Sequence, residues 1–241
     1  MNRFLIFENE KLSANTYEIS DPERLEHLKT VLKSSVGDIL KITLVDQGIG
    51  DAYIKELSAN SLTLVVKNIS KKNSAPYELI VGLSRPPTLK KILEHATTLG
   101  VSSFNFFKAT LSEKSYLDAK LFKGQYLQKY LRYGISQAAI YHQLPKVNIY
   151  HEVQSEWKNR EQKYILSPKA SKSFLDVKID FTKKITLAIG PERGWTTDEI
   201  DYFKNLGFNE IAISPAILRV ETAVFTSLGQ LELLRNKGAI N

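Results

Sequence analysis

Hydrophobic and polar positions change rhythm near residue 70. Before that point the apolar residues come in short runs. Arg3-Phe-Leu-Ile-Phe7 predicts a first strand, and Ile39 to Val45, Ala52 to Leu57 and Ser61 to Val66 predict a meander. Gly37-Asp38 reads as a turn and Gln47-Gly-Ile-Gly50 as a hairpin connection. One helix interrupts the strands. Asp21-Pro22 sets an N-cap before a proline at the first helical position, and Leu25, Leu28, Val31 and Leu32 give that helix one apolar stripe. Short strands around a single helix predict a small barrel.

Asn68 to Pro76 is a polar linker, which divides the chain into domains 1–70 and 71–241. Beyond it, strands alternate with helices. Glu78 to Ser84 is a nearly continuous apolar run, as expected of a strand covered on both faces. Thr88 opens a helix with Leu89, Ile92, Leu93, Ala96 and Leu99 on one side, and Gly100 ends it. Strands follow at Phe104–Phe107, Val147–Tyr150, Tyr164–Leu166, Ile185–Ile189 and Glu210–Ile213. Helices are predicted over Leu117–Gln143, from Thr196 onward, and over Leu218–Leu234. The second of these begins with a capping box, Thr196 and Glu199, ahead of Ile200 and Phe203. Alternation of this kind predicts an α/β domain built on a parallel sheet.

Three strand candidates end in turns that could converge on one ligand: Leu166-Ser-Pro168, Gly190-Pro-Glu-Arg-Gly194 and Ile213-Ser-Pro-Ala-Ile-Leu218. Turns beyond strand ends expose backbone donors and acceptors, and glycine lets a ligand approach the chain closely. Leu166, Gly190, Glu192, Gly194, Ile213, Ser214 and Leu218 are therefore candidate ligand contacts. Neither a G-x-G-x-x-G fingerprint nor a P-loop is present, so no dinucleotide or triphosphate cradle is indicated. Arg219 and Glu221 lie at the start of the last helix. A carboxylate there suits the helix dipole, whereas a guanidinium opposes it and calls for an anionic or carbonyl partner. Arg219, Glu221 and Glu192 are the candidate catalytic groups.

Charge changes the picture further. The 241 residues hold 33 basic and 26 acidic side chains, a net charge of +7 that favours a polyanionic partner such as nucleic acid. Arg3, Lys29 and Lys33 in the first domain, and Arg85 and Lys114 in a basic stretch over 85–132, are the candidate nucleic-acid contacts. Tyrosines interleave that stretch, though most fall at core-like helical spacing. No cysteine is present, the four histidines lack ligand spacing, and no metal is expected. No apolar run reaches the length of a membrane span, and the N-terminus is charged too early for a signal peptide, so a cytoplasmic protein is expected.

Ile189-Gly-Pro-Glu-Arg-Gly-Trp-Thr-Thr-Asp-Glu199 and Ile213-Ser-Pro-Ala-Ile-Leu-Arg-Val-Glu-Thr-Ala223 resemble the two signatures of the RsmE family of SPOUT methyltransferases. Arg193, Ser214 and Ala216 stand where that family carries glycine, glycine and arginine. His27-Leu-Lys-Thr-Val-Leu-Lys33 and Val36-Gly-Asp38 are similar to the family's N-terminal pattern, and Thr110 to Ser115 to its region near the RNA path. The resemblance implies a PUA-like, OB-related barrel followed by a SPOUT domain with a C-terminal trefoil knot. It implies S-adenosyl-L-methionine as cofactor, with Thr222 among its contacts, and methylation of N3 of a uridine in 16S ribosomal RNA of the small subunit. Homodimerisation is implied too, and the stripe Val224, Leu228, Leu231 and Leu234 is compatible with it or with a monomer's own core. Two other readings stay open: an RNA-binding or ribosome-assembly factor that has lost activity, and methylation of another ribosomal or transfer RNA nucleotide.

Overall fold

The computed structural model describes residues 3–71 and 75–238. Two compact units emerge: Met1–Ser74 with Ile135–Leu144, and Ala75–Gly134 with Pro145–Asn241. The linker expected from Asn68 is shortened, because a strand runs on to Ser70 and the next begins at Tyr77. Residues 72–74 of that linker lie outside the described residues.

In the first unit β1 (Phe4–Ile6), β2 (Lys11–Ser13), β3 (Thr16–Ile19), β4 (Ile39–Leu44), β5 (Gly48–Leu57) and β6 (Leu62–Ser70) form one sheet, in the order β1-β4-β5-β6-β3-β2. Among the described residues only the β1–β4 pair of this sheet is parallel. Strand alternation sends Ile6, Ile19, Ile42, Ile54, Leu62 and Leu64 into one core, where Leu25 and Leu28 join them. Leu25 belongs to α1 (Pro22–His27), whose N-cap Asp21 accepts the Arg24 N–H at 2.9 Å. The predicted stripe fails at one residue. From Leu28 to Leu32 the helix widens into a π-type turn, which rotates Val31 outward to 63% exposure.

The hairpin reading of Gln47-Gly-Ile-Gly50 also shifts. The reversal is made earlier, by Asp46 at φ +63, and Gly48 and Gly50 lie inside β5. A Cβ on Gly48 would stand 2.7 Å from the Ser70 carbonyl oxygen, and one on Gly50 2.8 Å from that of Asn68. These glycines serve close strand approach rather than the turn. Asp46 has a second use: its N–H donates to the His142 carbonyl at 2.8 Å, and its carboxylate accepts the Leu144 N–H at 3.0 Å. With Arg3 N–H on the Ser136 carbonyl at 2.8 Å, this ties Ile135–Leu144 into the first unit.

The second unit holds a fully parallel sheet in the order β12-β10-β11-β7-β8-β9, made by β7 (Tyr77–Gly82), β8 (Ser103–Phe107), β9 (Lys146–Tyr150), β10 (Gln162–Leu166), β11 (Ile185–Ile189) and β12 (Asn209–Ile211). Its helices are α2 (Pro86–Thr98), α3 (Gln125–Gln137) as far as Gly134, α4 (Thr197–Asn205) and α5 (Val220–Gly238), the last turn of α3 belonging to the first unit. One face of the sheet, through Ile80, Ala188 and Ile165, packs on Trp157, Phe203 and Phe208. Leu79, Val81, Leu187, Phe104 and Phe106 alternate with that row and are buried as well, as a sheet covered on both sides requires. The acid in the apolar β7 run is answered: Glu78, 2% exposed, meets Arg160 Nη1 at 2.8 Å and Lys184 Nζ at 3.0 Å. The stripe Val224, Leu228 and Leu231 of α5 is fully buried within this chain, with α5 packed on α2 and β11.

The long helix predicted over Leu117–Gln143 is a correction. Two single turns, Lys114–Tyr116 and Lys120–Phe122, come first; Gly124 at φ +46 then breaks the path, and α3 covers only Gln125–Gln137. Helical spacing of apolar residues persisted through this stretch, but the one residue with left-handed backbone decides where the helix begins.

Candidate active site

Sheet order locates the crevice. The chain leaves β7 toward β8 on one side, and leaves β11 toward β12 on the other, passing over β10. The loops after β7 and β11 therefore diverge, and ligands of open parallel sheets lie at such a point, beyond the strand C-termini. The two loops touch: a Cβ on Gly82 would stand 2.6 Å from Pro191 Cδ. Glu192 fastens them further, its Oε1 accepting the Arg85 N–H at 2.7 Å. Arg85 is the N-cap of α2, and the Pro86 and Pro87 that follow offer no N–H, so the carboxylate sits where the helix leaves its positive end.

The proposed turns are brought together within this unit. The Trp195 indole N–H donates to the Leu166 carbonyl at 3.0 Å, and its ring lies 3.2 Å from where a Gly190 Cβ would be. Gly194 takes φ +74 and its N–H closes the turn on Pro191 O at 2.8 Å. Ser167 N–H meets Ile211 O at 3.0 Å, which sets the ends of β10 and β12 side by side. Ile213 is held through its carbonyl by Gln230 Nε2 of α5 at 2.8 Å, and Ser214 Oγ accepts the Ala216 N–H at 3.0 Å. Among the described residues, the N–H groups of Ile213, Ser214, Ile217 and Leu218 meet no protein acceptor. A run of free main-chain donors beside half-buried side chains suits a purine-bearing ligand.

Arg219 precedes α5 with its side chain exposed, and Thr222 is exposed on the first turn of that helix. Glu192 does not meet Arg219; it faces the Arg85 backbone instead. Glu221 is also engaged, with Lys91 of α2 at 3.2 Å, one step from the edge-on contact of His95 with Phe225. Of the basic candidates, Arg3 Nη1 bonds the Ile42 carbonyl at 3.2 Å and Lys29 Nζ the Ala59 carbonyl at 2.9 Å. Lys33 is a left-handed cap at φ +51, and Lys114 is exposed.

Some contributors carried no sequence signal beyond their own motif. Glu199 closes the predicted capping box on α4, but its second oxygen reaches the Thr110 N–H at 2.8 Å, fixing the loop after β8. Ser112 Oγ donates to the Leu83 carbonyl at 2.7 Å, tying that same loop to the turn after β7. Desolvation raises the Tyr116 hydroxyl above its ordinary value, with Arg85 opposing the effect and Glu113 and Glu192 adding to it. Glu199→Ala is expected to lower stability by about 1–3 kcal/mol, since it strips a buried acceptor from two elements at once; Glu199→Gln should recover part of the loss in a thermal melt.

A family profile described as RNA methyltransferase domain matches residues 71–232. The chain is 30% identical over 230 residues to the ribosomal RNA small subunit methyltransferase E of Treponema pallidum, covering 91% of this chain and 86% of that protein. The chain belongs to this family of RNA methyltransferases. A second member, ribosomal RNA small subunit methyltransferase E 1 of Borreliella burgdorferi, is 29% identical over 210 residues, spanning 85% of this chain and 87% of its own. Among solved structures, the methyltransferase E of Neisseria gonorrhoeae bound to S-adenosyl methionine aligns with a TM-score of 0.79 over 97% of this chain and 98% of that one, at 22% identity. That likeness speaks to the fold. The family match spans both stretches read as signatures from the sequence, Ile189–Glu199 and Ile213–Ala223.

Proposed function

We propose that this methyltransferase transfers the methyl group of S-adenosyl-L-methionine to N3 of a uridine in 16S ribosomal RNA. The observation that carries the reading is the joining of the Leu166 and Gly190–Gly194 turns at Trp195, with the end of β12 beside them and, among the described residues, the N–H groups of Ile213, Ser214, Ile217 and Leu218 meeting no protein acceptor. Leu166, Gly190, Gly194, Ile213, Ser214, Leu218 and Thr222 would hold the cofactor, which supplies an electrophilic methyl on a sulfonium. The rest is positioning. Uracil N3 must give its proton to solvent and lie in line with the methyl, so that the N–C bond forms as the sulfonium C–S bond breaks and the neutral thioether leaves; orientation and charge then supply much of the rate. Arg219, exposed beside those turns, orients the uracil carbonyls or the adjacent phosphate. Glu192 acts one step back, holding the Gly190–Gly194 turn against the start of α2.

The same reading takes the first unit as a PUA-like, OB-related barrel that holds RNA through Lys29 and Lys33, and the region from β10 to α5 as the trefoil knot. It makes the protein cytoplasmic; no helix among the described residues is long and apolar enough to cross a membrane. A homodimer would leave the buried α5 stripe alone and cover Ile217 and Leu233, which are 89% and 71% exposed.

The test is incubation of the chain with methyl-labelled cofactor and unmodified small subunits, then location of the label by mass mapping. Label on N3 of one uridine is expected. Cofactor binding without transfer to any RNA would favour an assembly factor, and label in transfer RNA would redirect the substrate.

A further inference from the structure

The segment between β8 and α3 carries its cations on a fixed frame. Leu121 is 3% exposed, and the Phe122 ring packs on Phe106 of β8 with 5.6 Å between centroids. These anchors hold the Lys120–Phe122 turn, and Gly124 then reverses the chain into α3. Gly134 sets which side of α3 faces inward: a Cβ there would stand 2.2 Å from the Glu94 carbonyl oxygen, and Thr98 Oγ1 bonds the Gly134 carbonyl at 2.9 Å. At roughly 100° per residue, Leu127 and Leu131 share the side of Gly134, whereas Tyr126 and Lys129 lie away from it.

Lys120, Lys123, Tyr126 and Lys129 are all exposed. Lys120 Nζ stands 4.8 Å from the centroid of the Tyr126 ring, a cation–π pair set on the surface rather than in the core. The neighbouring Tyr126 side chain raises the Lys120 ammonium above its ordinary value. This pair is continuous with the site along the chain, since Thr110 and Ser112 of the same segment are fastened to Glu199 and to the turn after β7.

We infer that Tyr126 with Lys120, Lys123 and Lys129 is a binding surface for the single-stranded RNA flanking the target nucleotide, the ring stacking on a base and the ammonium groups meeting phosphates. An aromatic face beside cations is the chemistry that retains unpaired strands, and the net charge of +7 complements them. The inference rests on the RNA substrate proposed above and adds residues outside the reacting site.

The experiment titrates the full chain with a labelled uridine-containing single-stranded RNA oligonucleotide across a salt series, with S-adenosylmethionine calorimetry alongside. Tyr126→Ala is expected to weaken RNA binding about tenfold, while Tyr126→Phe, which keeps the ring, binds within about twofold of the parent. The Lys120→Gln, Lys123→Gln double variant should flatten the slope of log affinity against log salt by about 1.4, two single-strand phosphates' worth. Cofactor affinity should be unchanged throughout. Parent-like RNA affinity and slope in both Tyr126→Ala and the double variant would overturn the inference. So would variants that bind free RNA normally and fail only on assembled small subunits, because the surface would then face a protein. A parent chain that binds cofactor but no RNA at any salt would sink the proposed substrate itself, a distinguishable failure.

Discussion

Replacing Arg219 with alanine is expected to lower methyl transfer to small-subunit RNA by about 100-fold or more, while the affinity for S-adenosylmethionine stays within about twofold. The expectation comes from where the guanidinium sits. It precedes the N-terminus of α5, whose backbone dipole disfavours a cation, and it is exposed. The two candidate carboxylates are committed elsewhere, Glu192 to the Arg85 N–H and Glu221 to Lys91. A cation held against the dipole, with no side-chain partner among the described residues, is available for substrate. Removing it should therefore cost little stability, and a melt of Arg219→Ala within a degree or so of the parent would separate this role from a structural one. Lysine should rescue only part of the rate, because a point charge cannot reproduce a planar fork against carbonyl or phosphate oxygens. Single-turnover rates at saturating cofactor read the effect directly. Parent-like transfer by Arg219→Ala would remove Arg219 from the machinery.

What the sequence disclosed and what it withheld divide along contact range. The strand Ile185–Ile189 and the capping box at Thr196 are local: an apolar run bounded by glycine, and a hydroxyl three residues before a carboxylate. Both stand in the fold as read. The parallel sheet follows from alternation of strands and helices, which is also local. By contrast, the partner of Glu192 lies 107 residues away in the chain, and that of Glu221 130 residues away. No periodicity encodes such pairs. The return of Ile135–Leu144 to the first unit is of the same kind, fixed by Asp46 in a left-handed conformation that only the assembled backbone reveals. Val31 and the Leu117–Gln143 helix failed for a different reason. Apolar spacing reports a helical face but not a change of helical pitch, nor a glycine that stops the helix from starting earlier.

The same logic makes Gly82 the residue on which fold and site depend together. It ends β7 beside β11, and a Cβ there would meet Pro191 Cδ at 2.6 Å, Pro191 N at 2.8 Å and Ala109 Cβ at 3.3 Å. The nearest of these belong to a ring and a main-chain nitrogen, so nothing flexible can swing aside. Gly82→Ala must instead spread the loops after β7 and β11, which carry the Glu192–Arg85 bond and lead into the Gly190 turn under Trp195. The expected result is a loss of about 2–3 kcal/mol, or roughly 5–10 °C in Tm, with a further loss of cofactor affinity that outlasts correction for the unfolded fraction. Gly229→Ala on α5 is the matched control. Nothing lies within 4 Å of a Cβ there, and alanine in a helix interior should hold or raise Tm. If Gly82→Ala bound cofactor as tightly as the parent, the ligand would not depend on the junction of these two loops, and the crevice at the point where the sheet order reverses would lose its claim to be the reaction site.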